Sequence, residues 1–254
     1  MAVSCEGCRS GEPLGFDFTM AFQPIVDAAG NSVWGYEALI RGTGGEGAGE
    51  ILSRVTPEQR YRFDQACRVK AIELAARIFP KENTPRLSIN FLPNAVYEPA
   101  ACLRKTLSAA RRTHFPQTAI MFEFTENEEV RDTGHLRSII AEYRKQGFVT
   151  AIDDFGAGRS GLSLLADFQP DLIKLDMHLV RDIHTSRARQ AIVAGLANIC
   201  RELDIVLLAE GVECEDEFLV LKAAGIGLFQ GYWFARPAFE ALPALSPEAV
   251  RAAA

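Results

Sequence analysis

Apolar residues recur along this chain with two spacings, and the two alternate. Period-two runs over 19–26 and 32–40 flank the turn text Asp27-Ala28-Ala29-Gly30-Asn31 and predict an opening antiparallel hairpin. Thr56-Pro57-Glu58-Gln59 supplies an N-cap, a proline at the first helical position and a capping-box partner, which predicts a helix to about Phe79. Strand text then follows over 86–91, 119–125, 148–153, 171–176, 205–210 and 227–234, with helical text near 99–112, 134–146, 160–167, 186–203 and 215–224 between the runs. That rhythm implies βαβ units and a parallel sheet. Eight strands in one domain make the expected fold an α/β, (βα)8 TIM-like barrel with an irregular antiparallel first strand.

In such a barrel the chemistry lies where the strands end, so the last residue of each apolar run is informative. Those residues are Glu37, Asn90, Glu123, Asp153 with Asp154, Lys174, Glu210 and Gln230. Alternation places Val33, Gly35, Glu37, Leu39 and Arg41 on one face of their strand, and it groups Met121 with Glu123, Leu172 with Lys174, and Leu208 with Glu210. The apolar members fill the barrel and the polar members line its mouth. Five carboxylates around one cavity repel one another in low dielectric unless cations compensate them. Asn90 adds a neutral oxygen, and the absence of His and Cys from the set favours Mg²⁺ or Mn²⁺ over Zn²⁺. An adjacent Asp-Asp pair within such a set suits two ions flanking a phosphodiester, with Lys174, steadied by Asp176, placed to hold water or stabilise developing charge. Each acid taken singly reads as a rim charge or a helix cap; it is the coincidence of polar strand ends, strand after strand, that carries the inference. His114, His135, His178 and His184 lack metal-ligand spacing and read as surface residues.

Composition narrows the partners. The chain has 254 residues, 48% of them hydrophobic, enough for one large domain, and a net charge of −6 that argues against holding polymeric nucleic acid through a general basic field. No apolar run approaches the roughly 18–20 residues of a membrane span, and the N-terminus resembles no signal peptide, so a soluble, cytoplasmic protein is expected. Residues 1–17 read as a flexible tail and 18–254 as the single domain. Cys5-x-x-Cys8 within that tail is half of a zinc site or a redox pair at most, since no second such pair accompanies it, and two free thiols are expected.

Tyr36-Glu37-Ala38-Leu39-Ile40-Arg41 resembles the Glu-Ala-Leu signature of the EAL domain, the cyclic di-GMP-specific phosphodiesterase family of bacterial signalling. The resemblance continues through Phe22-Gln23-Pro24, Ser88-Ile89-Asn90, Glu123-Phe124-Thr125-Glu126, Asp153-Asp154-Phe155-Gly156, Ile173-Lys174-Leu175-Asp176, Ala209-Glu210-Gly211-Val212-Glu213 and Gln230-Gly231-Tyr232, in order and over most of the chain. It implies a barrel with an antiparallel irregularity at its start. It also implies opening of cyclic di-GMP to linear pGpG with Mg²⁺ or Mn²⁺, usually as two ions, with Ca²⁺ inhibitory. By the same resemblance Glu37, Asn90, Glu123 and Asp153 look like ligands of one ion, with Asp154 on the other and Glu210 in the metal and water network. Lys174 resembles the lysine that holds the attacking water. Gln23, Arg41 and Gln230 resemble substrate-binding positions. Glu126 looks like a brace for the loop after Asp154, and Glu213 like an acid supporting the ligands from behind.

The chain departs from the family pattern at Arg159-Ser160-Gly161, where an aromatic residue and two serines are usual. That loop is tied in the family to metal occupancy and dimerisation, so turnover and regulation are where this chain is expected to differ, while a homodimer is still expected. No sensor domain fits outside the matched stretch, which leaves dimerisation, a regulatory protein partner or the Cys5/Cys8 tail as input. Two alternatives stand beside the hydrolase: a cyclic di-GMP receptor or protein-interaction module without turnover, and an enolase-like barrel with Lys174 as base. The missing capping domain and the motif order argue against the latter.

Overall fold

The computed structural model describes residues 14–96, 98–125, 133–158 and 161–253; Cys5, Cys8, Glu126, Arg159 and Ser160 lie outside the described residues. The opening hairpin is present: β1 (Phe18–Asp27) pairs antiparallel with β2 (Ser32–Gly42). Six further strands follow in parallel with β2, namely β3 (Arg86–Asn90), β4 (Ile120–Thr125), β5 (Val149–Phe155), β6 (Leu172–Leu175), β7 (Val206–Ala209) and β8 (Leu228–Phe229). β8 then pairs antiparallel with β1, which closes an eight-stranded barrel in which β1 alone runs against its neighbours. The fold is thus an α/β TIM-like barrel with the expected irregular start.

Two apolar layers hold it. Ile25, Met121, Ala151, Leu172, Leu208 and Leu228 pack inside the barrel, while alternate strand residues such as Phe22, Ile89, Phe122, Ile152, Ile173 and Phe229 face outward under the helices. The helices covering them are α1 (Ala48–Ser53), α2 (Arg60–Ile78), α3 (Pro99–Cys102), α4 (Arg104–Thr113), α5 (Thr133–Lys145), α6 (Gly161–Asp167), α7 (Met177–Val180), α8 (Arg187–Glu202), α9 (Glu215–Ala223) and α10 (Pro247–Ala253). The predicted capping box is there, the Thr56 N–H donating to Gln59 Oε1 at 3.3 Å, although it opens a 3₁₀ turn that leads into α2.

The differences have local causes. The run over 227–234 yields only two strand residues, because the chain turns at Gly231, where a Cβ would lie 2.0 Å from the Val212 carbonyl oxygen. A short β9 (Ala238–Phe239) then takes the remaining edge of β1 at Ala21 and Phe22. The helix expected over 99–112 is interrupted at Leu103, between α3 and α4. The short α1, α7 and α10 are too brief to show a helical period. A charged group that the pattern did not flag is buried under the helices. Arg68 pairs with Asp64 at 2.7 Å, donates to the Tyr143 hydroxyl at 2.8 Å and lies against the Phe91 and Phe122 rings.

Candidate active site at the barrel mouth

One step toward the rim from the apolar interior, each strand changes character. Met121 gives way to Glu123, Ala151 to Asp153, Leu172 to Lys174 and Leu208 to Glu210, each two residues on and on the same face; antiparallel β1 reaches the same level from Ile25 back to Gln23. Register confirms the level: Gln23 lies opposite Glu37, and Asn90 opposite Glu123.

Lys174 is the centre. Its ammonium, fully buried, lies 2.6 Å from Glu210 Oε1, 3.1 Å from Glu123 Oε2, 3.1 Å from Asp153 Oδ1 and 3.4 Å from Glu37 Oε2. Asn90 Nδ2 donates to Glu37 Oε1 at 3.1 Å and to Glu123 Oε1 at 3.0 Å. Gln230 Nε2 donates to Glu37 Oε2 at 2.7 Å and to Gln23 Oε1 at 3.2 Å, and Gln23 Nε2 reaches the Ala235 carbonyl at 3.3 Å. Ser88 Oγ donates to Glu123 Oε2 at 2.5 Å. Sequence reasoning did not assign Ser88 a role; its position two residues before Asn90, on the same strand face, is the signal that was available.

Adjacent residues of a regular strand point to opposite faces, so Asp153 and Asp154 converge only because the strand is broken. Pairing of β5 with β6 slips between Ile152 and Phe155, and Asp154 takes a left-handed φ of 55°. The bulge turns a second carboxylate toward the mouth while Ile152 and Phe155 stay in the outer core. Two carboxylate triads result. Ligand oxygens of Glu37, Glu123 and Asp153 lie within 4.8 Å of one another, as do those of Asp153, Asp154 and Glu210. Asp153 belongs to both.

The electrostatics are those of a site short of positive charge. Burial, with Glu37 and Asp153 alongside, pushes the Glu123 carboxyl well above the usual carboxylate range even though Lys174 opposes the shift. Glu210 is raised by burial and by Asp153, Glu37 and Glu123. Asp154 is pushed up to about 6 by burial and by Asp153 and Asp176. Burial pulls the Lys174 pKa down, but its four carboxylate neighbours hold it well above the usual lysine range. An all-oxygen donor set of converging carboxylates fits hard divalent ions.

The remaining expected residues sit elsewhere. Arg41 is half-buried at the end of β2, four residues beyond Glu37, and its Nη1 donates to the Ile40 carbonyl at 2.6 Å. Asp176 does not steady Lys174: it caps α7, accepting from the His178 N–H at 2.8 Å and meeting its Nδ1 at 2.6 Å, because the chain leaves the strand at Leu175. Glu213 is bound by Arg181, whose Nη2 lies 2.6 Å from its Oε1, outside the carboxylate cluster.

An α/β barrel that presents acids from successive strands around one lysine belongs to the class built to hold oxygen-liganded cations at its mouth. Within that class the chain belongs to the EAL domain family, whose model matches residues 15–237. It is 30% identical over 226 residues to the blue light- and temperature-regulated antirepressor BluF of Escherichia coli, covering 89% of this chain and 56% of the relative. It is 30% identical over 227 residues to the cyclic di-GMP phosphodiesterase PA2567 of Pseudomonas aeruginosa, covering 87% of this chain and 38% of that one. The chain therefore spans about half or less of the length of these curated relatives. Among solved structures, a standalone versatile EAL protein from Vibrio cholerae O395 in its c-di-GMP bound form superposes with a TM-score of 0.89 at 54% identity, covering 93% of this chain and 99% of that one. The manganese and cy-diGMP complex of Klebsiella pneumoniae BlrP1 gives a TM-score of 0.83 at 38% identity, over 91% of this chain and 57% of that one. No helix among the described residues is long and apolar enough to cross a membrane.

Proposed function

We propose that this chain hydrolyses cyclic di-GMP to linear pGpG, using two Mg²⁺ or Mn²⁺ ions held at the barrel mouth. The observation that carries the reading is the pair of carboxylate triads sharing Asp153 around a buried ammonium. Membership of a family whose relatives include a cyclic di-GMP phosphodiesterase, and likeness to structures with cyclic di-GMP bound, supports the substrate.

Glu37, Asn90, Glu123 and Asp153 would hold one ion, and Asp153, Asp154 and Glu210 the other. Such ions would polarise a phosphodiester oxygen and acidify water. Around them the chain does the rest. Lys174, protonated among its carboxylates, would donate a hydrogen bond that orients the attacking water. Glu210, the closest carboxylate to that ammonium, accepts from the same water. Ser88 fixes one oxygen of Glu123 so that its other faces the site. Gln23, Arg41 and Gln230 bind the dinucleotide. Gln230 Oε1, buried and without a hydrogen-bond partner among the described residues, is the acceptor left for substrate or water. Asp176, by capping α7, and Glu213, by engaging Arg181, brace the loops behind the ligands. Action in the bacterial cytoplasm, as a homodimer that answers a regulatory protein partner, completes the reading.

The test is incubation of purified chain with cyclic di-GMP and Mg²⁺, Mn²⁺ or Ca²⁺, with pGpG followed by chromatography. Product with Mg²⁺ or Mn²⁺, none with Ca²⁺, and none from Glu37→Gln is the expected pattern. Nucleotide binding without product in any ion would instead make the chain a receptor, the role closer to a relative named an antirepressor.

A further inference from the structure

A second group of metal-ligating side chains lies away from the carboxylate mouth, and the proposed hydrolysis uses none of it. A ring nitrogen of His184, the Cys214 sulfur and a Glu217 carboxylate oxygen lie within 4.8 Å of one another. Their sequence spacing conceals them, since thirty residues separate the histidine from the cysteine; the fold brings together the turn at Ile183–Thr185 and the start of α9.

Each member is held in place yet incompletely used. Glu217 is 2% exposed, and each of its oxygens accepts one backbone N–H at 2.8 Å, from Asp182 and from Glu213. It already straps the loop after β6 to the loop after β7, and each oxygen keeps a lone pair. Cys214 occupies the N-cap of α9 without making a side-chain cap, where a hydroxyl or carboxamide would ordinarily accept an N–H. His184 is partly buried, and its Nδ1 is shielded from water without a hydrogen-bond partner among the described residues. The turn carrying it is pinned by Gln190, whose Nε2 donates to the Ile183 carbonyl at 2.9 Å and the His184 carbonyl at 3.3 Å. Glu215 and Asp216 in the first turn of α9 offset the positive end of its helix dipole, and the nearby Arg181 is engaged by Glu213.

From this the geometry points to a zinc-class divalent cation site formed by His184, Cys214 and Glu217. Thiolate, imidazole and carboxylate together suit Zn²⁺, not the hard ions of the mouth. Ligand bonds of ~2.0–2.3 Å in a tetrahedron set donor atoms about 3.3–3.8 Å apart, so donors already within 4.8 Å close on an ion by small side-chain rotations. Three protein ligands leave a fourth position for water. The site ties together two segments that start from catalytic strands: Cys214 is four residues beyond Glu210, and His184 ten beyond Lys174. Those segments already touch where Gly211 packs so closely that a Cβ would lie 2.6 Å from Met177 Cβ. An ion here locks the β6 and β7 loops without entering the reaction.

The experiment uses cobalt as the spectroscopic stand-in for zinc, on chain carrying Cys5→Ser and Cys8→Ser so that the tail thiols contribute nothing. Titration of metal-free protein with Co²⁺ is expected to give a thiolate-to-cobalt charge-transfer band saturating at one equivalent and displaced by Zn²⁺. The carboxylate mouth contains no thiol and gives no such band, so the result is independent of whether the chain hydrolyses cyclic di-GMP. Cys214→Ser should abolish the band and His184→Ala should weaken binding at least tenfold, with circular dichroism confirming that both variants are folded. Absence of the band at micromolar Co²⁺, or its survival in folded Cys214→Ser, overturns the assignment.

Discussion

Replacing Lys174 by methionine keeps the length of the side chain and removes the charge on which the mouth converges. The ammonium has four carboxylate contacts between 2.6 and 3.4 Å. At an effective dielectric of ~20, each contributes about 5 kcal/mol of attraction, and repulsion among the carboxylates and desolvation offset most of the sum. Removing one partner of a buried ion pair typically costs about 3–5 kcal/mol. For a chain of this size that lowers Tm by about 6–20 °C. The loss depends on pH in a defined sense. Glu123 and Glu210 already lie above their usual value of 4.5, and without the ammonium they rise further. A carboxyl whose folded pKa is raised takes up protons on folding, so its penalty is absent below the unfolded pKa and grows as pH climbs toward the folded one. Metal-free Lys174→Met should therefore unfold nearer to wild type at pH 5 than at pH 8. Saturating Mn²⁺ should close the gap by supplying the missing charge. Thermal unfolding followed by circular dichroism at the two pH values, with and without Mn²⁺, measures this. A deficit that is the same at both pH values, or no deficit in metal-free protein, would refute the view that Lys174 neutralises the carboxylate cluster.

Three further outcomes follow from the same geometry. Ser88→Ala removes the hydrogen bond that fixes Glu123, so the Mn²⁺ concentration for half-maximal binding should rise about tenfold while the fold is retained, as read by calorimetric titration. With Asp154 titrating at about 6, cation affinity should fall as pH drops from about 7 to 5, because the protonated carboxyl no longer offers charge; Asp154→Asn should flatten that dependence in the same titration. Asp64→Ala strands the fully buried Arg68 and should cost about 3–5 kcal/mol in urea unfolding.

The sequence could reveal the barrel because strand alternation is a local property. Leu172 with Lys174, or Met121 with Glu123, announces one face of a strand without knowledge of its partners. It could reveal the acids of the mouth because each ends an apolar run. Contacts made by chain reversal were not legible. Asp176 looked like a partner for Lys174 on strand spacing, yet the strand ends one residue earlier and the carboxylate turns to cap α7. The convergence of Asp153 with Asp154 depends on a bulge that no alternation pattern displays. His184 read as a surface histidine, since nothing local links it to a cysteine thirty residues on; only the packing of two barrel loops does. The buried Asp64–Arg68 pair was hidden for a related reason: charges four apart on a helix ordinarily read as a solvated face.

If the two triads sharing Asp153 hydrolyse a phosphodiester, the initial rate of pGpG formation from cyclic di-GMP in Mn²⁺ should separate wild type from Asp153→Asn. Wild type should give metal-dependent product and the variant a rate at least about 100-fold lower, since Asp153 is shared by both triads. Product formed equally by both proteins, or by neither, would contradict that role for the triads.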